Sequence, residues 1–144
     1  MRVFSTEQLG KLIIVHLGKG EDVLLGARKA LESEGVENAV LVSAIGSLRR
    51  ASLHGIMSTE DNPTNRFRTF EKPIELGTAQ GIVLEGIPHF HLCISTPDET
   101  YTGHMEEGCL VQYLAELCLI EFRGLDLERK SDEFGIQYIS QREE

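Results

Sequence analysis

The sequence consists mainly of short apolar segments, each of strand length and each bounded by glycine, proline or polar residues. Apolar runs of this length, rich in β-branched residues, are typical of β-strands rather than helices. The segments follow one another closely, so we expect a mostly antiparallel sheet. The predicted strands comprise residues 11–17, 38–46, 51–56, 66–70, 74–81, 82–84 and 87–95.

One segment has a different pattern and predicts an α-helix. Apolar residues recur at helical spacing from Val23 to Leu31. Asp22 stands where helices favour an acidic residue, and Gly35 stands where they commonly end. We therefore predict that a helix over about 22–34 flanks the sheet.

The segment from Leu110 to Phe122 fits two structures, because its apolar residues suit either a helix or one face of a strand. We favour a strand, since only one glycine, Gly124, follows as a helix-stop signal. One helix among many antiparallel strands defines an α+β fold. The 144 residues suit a single domain that spans residues 1–144.

Histidines cluster in the second half of the chain, in Pro88-His89-Phe90-His91 and in Thr102-Gly103-His104. Side chains alternate along a strand, so His89 and His91 face the same side. Three imidazoles that converge from adjacent strands suit a divalent transition metal with an open coordination position. Spacing alone leaves open the alternative that these are surface or hydrogen-bonded histidines.

Whether His104 joins the other two histidines depends on the length of the intervening loop. Directly opposed residues of an antiparallel pair share a face, so the loop must contain an even number of residues. A four-residue loop over 96–99 would set His91 opposite His104, whereas a two-residue loop over 98–99 would set Cys93 there. An odd loop would need a bulge, for which the glycine before His104 is a suitable place.

Two carboxylates follow His104 and are candidate catalytic groups. Glu106 would share the His104 face if the strand continued, and Glu107 would not. Either could be a fourth ligand, a hydrogen-bond acceptor for a ligand or a proton shuttle, and a solvated turn carboxylate is the alternative for both. Cys93 lies on the His89 face and could ligate a metal, although a buried thiol is its commoner role.

The remaining histidines, His16 and His54, are predicted to be packed or surface residues rather than ligands. The three cysteines form no Cys-x-x-Cys pair, and we expect them to be reduced and buried. No apolar run reaches the roughly 20 residues of a membrane span, and the first residues lack the features of a signal peptide. We therefore expect a cytoplasmic protein without a membrane interaction.

The charge balance disfavours direct nucleic-acid binding. The chain has 14 basic and 23 acidic residues, which gives a net charge of −9. Phosphate binding needs clustered lysine and arginine, and here the basic groupings are limited to Arg49-Arg50 and to Arg66 and Arg68 with Lys72. These groupings could instead line a pocket for a small anionic ligand.

Four motifs occur along the chain in an order that is familiar. They are Ser43-Ala44-Ile45-Gly46, Glu71-Lys72-Pro73-Ile74-Glu75-Leu76, Pro88-His89-Phe90-His91 and Gly103-His104 with Gly108. Together they resemble the plant and prokaryote conserved (PPC) domain family over nearly the whole chain. The resemblance implies an α+β fold with a central, mostly antiparallel sheet, and a homotrimer. It also implies a fold similar to that of acetolactate decarboxylase, a zinc enzyme, and so assigns zinc to His89, His91 and His104.

The chain differs from the family in two respects. Plant members carry the domain beside an Arg-Gly-Arg-Pro hook and are called DNA-binding for that reason, and this sequence lacks the hook. In addition, Thr102 stands where family members often have a second glycine before the histidine. We expect a homotrimeric zinc protein with lyase-like or hydrolytic chemistry, in which Glu106 or Glu107 transfers protons. Arg50 or Arg68 would bind a substrate carboxylate. The alternative is a non-catalytic trimeric interaction module that joins protein partners or associates with DNA.

Overall fold

The computed structural model describes residues 1–142, which form one helix and nine strands. In chain order these are β1 (Leu9–Gly18), α1 (Val23–Glu34), β2 (Ala39–Ile56), β3 (Asn65–Phe70), β4 (Ile74–Leu84), β5 (Ile87–Ser95), β6 (Thr100–Met105), β7 (Leu110–Phe122), β8 (Leu127–Ser131) and β9 (Gln137–Gln141). The α+β prediction is confirmed, and the ambiguous segment that becomes β7 is a strand as predicted.

Two pairs of predicted strands are single long strands. Residues 38–46 and 51–56 belong to β2, and residues 74–81 and 82–84 belong to β4. Gly46 in β2 and Gly81 in β4 mark places where two backbones approach closely, not strand ends. At Gly81, φ is 151°, and a Cβ atom would fall on the carbonyl oxygen of His89.

The β8–β9 hairpin was not predicted, because its strands are mostly polar and lack a clear apolar alternation. The polar residues 141–144 by themselves predict a frayed end. In the structure, Gln141 ends β9 and Arg142 forms an ion pair with Glu85 at 2.5 Å. Residues 143–144 lie outside the described residues.

The main sheet is antiparallel throughout, with the strand order β1-β7-β2-β4-β5-β6 and with β3 paired to β2. An additional pairing between β2 and β6 closes β2, β4, β5 and β6 into a ring. This closure is possible because β2 is 18 residues long. Its first half pairs with β7 and β4, and its second half pairs with β3 and β6.

Helix α1 covers one side of the core. Its N-cap is Asp22, whose carboxylate accepts hydrogen bonds from the backbone N–H groups of Leu24 and Leu25. It ends at Gly35, whose φ of 65° is left-handed. The buried helical residues Val23, Leu24, Ala27 and Leu31 join a core that includes Phe90, Leu92 and Ile94 of β5.

Strand alternation in β5 separates the core from the candidate site. Phe90, Leu92 and Ile94 are buried, while the intervening His89 and His91 lie on the opposite face. His89 is half-buried and His91 is exposed. Within residues 1–142, no helix has both the length and the apolar character needed to cross a membrane.

Candidate metal centre

A four-residue loop sets the register between β5 and β6. Ser95 pairs with Thr100, and His91 therefore lies directly opposite His104. The hydroxyl of Thr96 stabilises the loop by accepting hydrogen bonds from the backbone N–H groups of Asp98 and Glu99. Of the alternatives that the sequence left open, the even loop over 96–99 is the one observed, and no bulge interrupts this pairing.

The closure between β2 and β6 adds a fourth histidine. His54 pairs with His104 in the register, and the two rings stack with centroids 4.5 Å apart. His54, which the sequence predicted to be a packed or surface residue rather than a ligand, therefore lies in contact with the histidine cluster. No spacing pattern identifies His54, because a pairing between strands about fifty residues apart brings it to the cluster.

Gly103 permits this close approach. A Cβ atom at this position would lie 2.5 Å from the carbonyl oxygen of His54 and 2.8 Å from Cδ1 of Leu53. Any side chain here would push β6 away from β2. Gly103 thus serves the approach of two strands rather than the bulge for which the sequence suggested it.

The imidazole rings lie at distances that suit a shared ion. The ring centroids of His89 and His91 are 5.4 Å apart, those of His89 and His104 are 4.9 Å apart, and those of His91 and His104 are 5.6 Å apart. Zn–N bonds of about 2.1 Å in a tetrahedral arrangement place neighbouring ring centroids roughly 5 Å apart. The three predicted ligands therefore match zinc in type and number. Within residues 1–142, however, their ligand nitrogens do not form a group that lies within 4.8 Å, so the rings would have to reorient to share one ion.

Glu106 connects two of the histidines. Its Oε1 atom lies 3.0 Å from Nδ1 of His104 and 2.5 Å from Nδ1 of His54. An ionised carboxylate can only accept, so each Nδ1 carries the proton that it donates. Neutral His104 then has its lone pair on Nε2, and a carboxylate on the other ring nitrogen is the usual support of a metal-binding histidine.

The same contacts define a second possible cation site. Within residues 1–142, the ligand atoms of His54, His104 and Glu106 all lie within 4.8 Å of one another. In this arrangement Glu106 would be a direct ligand, and a histidine that bound through Nδ1 would carry its proton on Nε2. The two arrangements have different ligand sets and so predict different effects of substitution.

The surroundings of His89 and His104 favour their neutral forms. The pKa of His89 is lowered from 6.5 to about 4, first by burial and then by the positive charge of Arg129 and by neighbouring histidines. The pKa of His104 is also lowered, mainly by burial and by His54, while Glu106 opposes the shift. Neutral imidazole is the form that binds a metal, so both lowered pKa values favour metal binding at neutral pH.

The other predicted site residues lie elsewhere. Glu107 faces Arg28 of α1 at 3.9 Å, so only Glu106 joins the histidines. Arg50 lies 3.6 Å from Glu71, and the guanidinium of Arg68 lies 5.8 Å from the ring centroid of Tyr101. Neither arginine contributes to the shifted pKa values of His89 and His104.

The cysteines agree in part with the sequence-based expectation. All three thiols are free, and Cys109 is fully buried. Burial raises the pKa of Cys109 to about 11, so it remains a protonated thiol. Cys93 and Cys118 are only half-buried. Cys93 stands opposite Thr102 in the β5–β6 register, two residues beyond His91.

The sequence matches the profile of a known family. The sequence profile of the Plants and Prokaryotes Conserved (PCC) domain matches residues 4–123. The chain therefore belongs to this family, as its motifs indicated. The match ends before β8, so the β8–β9 hairpin lies outside it.

Solved structures share the fold over nearly the whole chain. A plant- and prokaryote-conserved protein of Pyrococcus horikoshii is 23% identical, with 99% of each chain covered and a TM-score of 0.83. The metal-containing protein AF0104 of Archaeoglobus fulgidus is 25% identical, with 94% of this chain and 95% of that chain covered and a TM-score of 0.78. A Bacteroides thetaiotaomicron protein described as a DNA-binding candidate is 15% identical, covering 95% and 96%, with a TM-score of 0.77.

Curated relatives are much longer proteins. The bifunctional protein GlmU of one Synechococcus strain is 24% identical over 123 residues, which is 85% of this chain. The chain spans only 18% of the length of the curated relatives that it matches. The similarity thus concerns one segment of those proteins.

Proposed function

We propose that this chain is a zinc-binding protein in which His89, His91 and His104 hold the ion and leave one coordination position open. The observation that carries the proposal is the convergence of these rings, with centroids 4.9 to 5.6 Å apart, on the sheet face opposite the core. The similarity to a metal-containing protein of Archaeoglobus fulgidus supports it. The imidazole donor set suits zinc among the divalent transition metals.

Hydrogen bonding favours this ligand set over the one that includes His54 and Glu106. The Nδ1 atoms of His54 and His104 both lie at hydrogen-bonding distance from the same carboxylate oxygen. Both nitrogens therefore donate to Glu106 and have no lone pair for a metal. Nε2 of His104 stays available, and Glu106 orients the ring that carries it.

The chemistry that we propose is of the lyase-like or hydrolytic type. Zinc with an open position lowers the pKa of bound water or polarises a carbonyl group. Glu106 is the carboxylate placed to take part in proton transfer, because it already holds protons of His54 and His104 in hydrogen bonds. Phe67, whose ring lies 4.9 Å from that of His54, provides an apolar wall on one side.

We also propose that the protein is a cytoplasmic homotrimer that associates through an exposed apolar surface. Leu12, Ile120 and Val40 lie in one row across β1, β7 and β2, on the face turned away from the core. The same surface includes Ile14, which is 67% exposed, and Val42 and Ile45. A contiguous apolar patch of this kind on a folded protein is typical of an association surface. We call these residues the apolar face.

DNA binding is the weaker alternative for this chain. Its net charge of −9 opposes contact with a phosphate backbone, and the hook motif is absent from the sequence. Two of its basic side chains already face carboxylates, Arg50 with Glu71 and Arg28 with Glu107. A non-catalytic module that joins protein partners is compatible with the apolar face and differs from our proposal in needing no zinc.

Metal analysis of protein purified without an affinity tag tests the proposal. We expect about one zinc per chain in the natural protein and loss of zinc in His91→Ala and His104→Ala. His54→Ala should keep its zinc, and Glu106→Gln should weaken zinc binding about 10- to 100-fold. His16→Ala is the matched control, because His16 is exposed on β1 and its nearest charged partner is Glu116, 3.9 Å away.

Two results would contradict the proposal. Equal zinc contents in the natural protein and in His91→Ala would exclude the three-histidine site. Loss of zinc in His54→Ala with full retention in His91→Ala would assign the ion to His54, His104 and Glu106 instead.

A further inference from the structure

Arg129 of β8 has two hydrogen-bond donors without acceptors in the described part of the chain, along one edge of its guanidinium group, which we call the unfilled edge. Its Nε and Nη2 atoms are both buried, and neither has an acceptor among residues 1–142. Buried donors without acceptors are rare, because each costs the solvation that it gave up. Burial also lowers the pKa of Arg129, so the charged guanidinium is held in a site that disfavours it. A feature of this kind calls for an anionic acceptor that residues 1–142 do not supply.

Arg123 shows how the same two donor atoms of an arginine bind when a carboxylate is present. Its Nε and Nη2 atoms donate to Oε1 and Oε2 of Glu121 at 2.9 and 2.8 Å. This is the paired arrangement in which a planar guanidinium binds a planar carboxylate. The two arginines therefore present the same pair of atoms, one pair occupied by a carboxylate and the other without a partner.

The strand that carries Arg129 lies close to the strands of the histidine cluster. Strand β8 packs against β4, in which Ile82 is the register partner of His89. Leu127 is buried and anchors β8, and Arg142, next to the end of β9, forms an ion pair with Glu85 at the β4–β5 turn.

We propose that Arg129 binds the carboxylate group of a ligand of the histidine site, through the paired Nε and Nη2 donors. Such a ligand would extend from Arg129 towards His89, with its reactive end at the position that zinc leaves open. Only this second end rests on the proposed zinc site. Arg129 then takes the role that the sequence suggested for Arg50 or Arg68, and it does so from a hairpin outside the family match.

The two other arginines are less suited to this role. The Nε atom of Arg50 is also buried without a hydrogen-bond partner, but the carboxylate of Glu71 lies 3.6 Å from it. The Arg68 guanidinium lies near the ring of Tyr101. Arg129 has two donors without acceptors among the described residues, and its strand β8 packs against β4, in which Ile82 pairs with His89.

Side-chain NMR of the metal-free protein tests the binding directly. The Nε–Hε resonance of Arg129, assigned from its absence in Arg129→Gln, is followed while acetate is added, with inorganic phosphate in a parallel titration. We expect a saturable shift with acetate and none for Arg123, whose donors are already occupied by Glu121. Arg129→Gln should weaken acetate binding about 10- to 100-fold, as the loss of a charged hydrogen-bonded pair predicts.

The experiment separates this inference from the zinc site, because no metal is present. Arg129→Lys, which keeps the charge without the paired donors, should also bind acetate more weakly than the natural protein. Absence of a saturable Arg129 shift, or unchanged acetate affinity in both variants, would overturn the inference. Stronger binding of phosphate than of acetate would overturn the carboxylate assignment. A change of oligomeric state in Arg129→Gln without an acetate effect would show that a neighbouring subunit fills the edge.

Discussion

The histidine cluster and the apolar face lie on the same sheet but differ in what they can bind. The cluster gathers four imidazoles and Glu106 where β2, β5 and β6 meet. The apolar face spreads Leu12, Ile120, Val40 and their neighbours over β1, β7 and β2. Convergent polar donors suit a small ligand or an ion, whereas a broad apolar surface suits another protein surface.

The difference arises from how the two regions are built. The cluster depends on ring closure, because the β2–β6 pairing brings residues that are distant in sequence within contact. The apolar face depends on strand alternation within β1 and β2, as at Ile14 and Val40, each of which stands between two buried residues. A change in the closure should therefore affect the cluster and leave the apolar face intact, and a change on the apolar face should do the reverse.

Substitution of Gly103 by alanine should have the largest effect. The new Cβ would lie 2.5 Å from the carbonyl oxygen of His54, so β6 must move away from β2. We expect a loss of about 2–3 kcal/mol in the free energy of unfolding, together with loss of zinc binding. Denaturant unfolding and metal analysis measure the two effects.

Gly55→Ala is the matched control for this substitution, because a Cβ at Gly55 would meet no heavy atom within 4 Å. We expect its stability to lie within about 0.5 kcal/mol of that of the natural protein. Equal stability and equal zinc content in Gly103→Ala would show that the closure of β2 with β6 does not build the site.

Ile14→Glu should disrupt association without disturbing the cluster. A charge on the apolar face would have to be buried between subunits, which is costly without a partner. We expect sedimentation to show trimers for the natural protein and monomers for the variant, with one zinc per monomer retained. Phe134→Glu, at an exposed apolar residue in the β8–β9 turn, is the control and should remain trimeric. Trimers in Ile14→Glu would rule out this surface as the interface.

Lowering the pH should destabilise the metal-free protein by a smaller amount. The pKa of His89 is about 4 in the folded protein and 6.5 in the unfolded chain, so between these values the unfolded chain binds more protons. Stability should therefore fall as the pH decreases from about 6.5 towards 4, and this group should contribute no change above that range. Because His89 is partly exposed, we expect an effect of about 1 kcal/mol.

Denaturant unfolding at pH 7 and pH 5, with and without His89→Gln, isolates this contribution. The natural protein should lose more stability than the variant over this interval. An equal loss in both proteins would contradict the assignment to His89.

Much of the fold could be predicted because local patterns determine it. The alternation of residues 87–95 placed His89 and His91 on one face, and the spacing from Val23 to Leu31 identified the helix. Because opposed residues share a face, a regular pairing of His91 with His104 requires a loop with an even number of residues. The loop over 96–99 meets this requirement. The β8–β9 hairpin escaped prediction because its residues alternate too weakly in polarity.

The sequence by itself determined which side chains of β5 share a face, because strand alternation is a property of consecutive residues. It also determined the charge that disfavours DNA and the motifs that place the chain in its family. Only the tertiary structure decided that His54 and Glu106 join His104, and that Arg129 lies where it acts on His89. Those neighbours are set by strand pairing and packing between distant segments, which no local pattern of residues encodes.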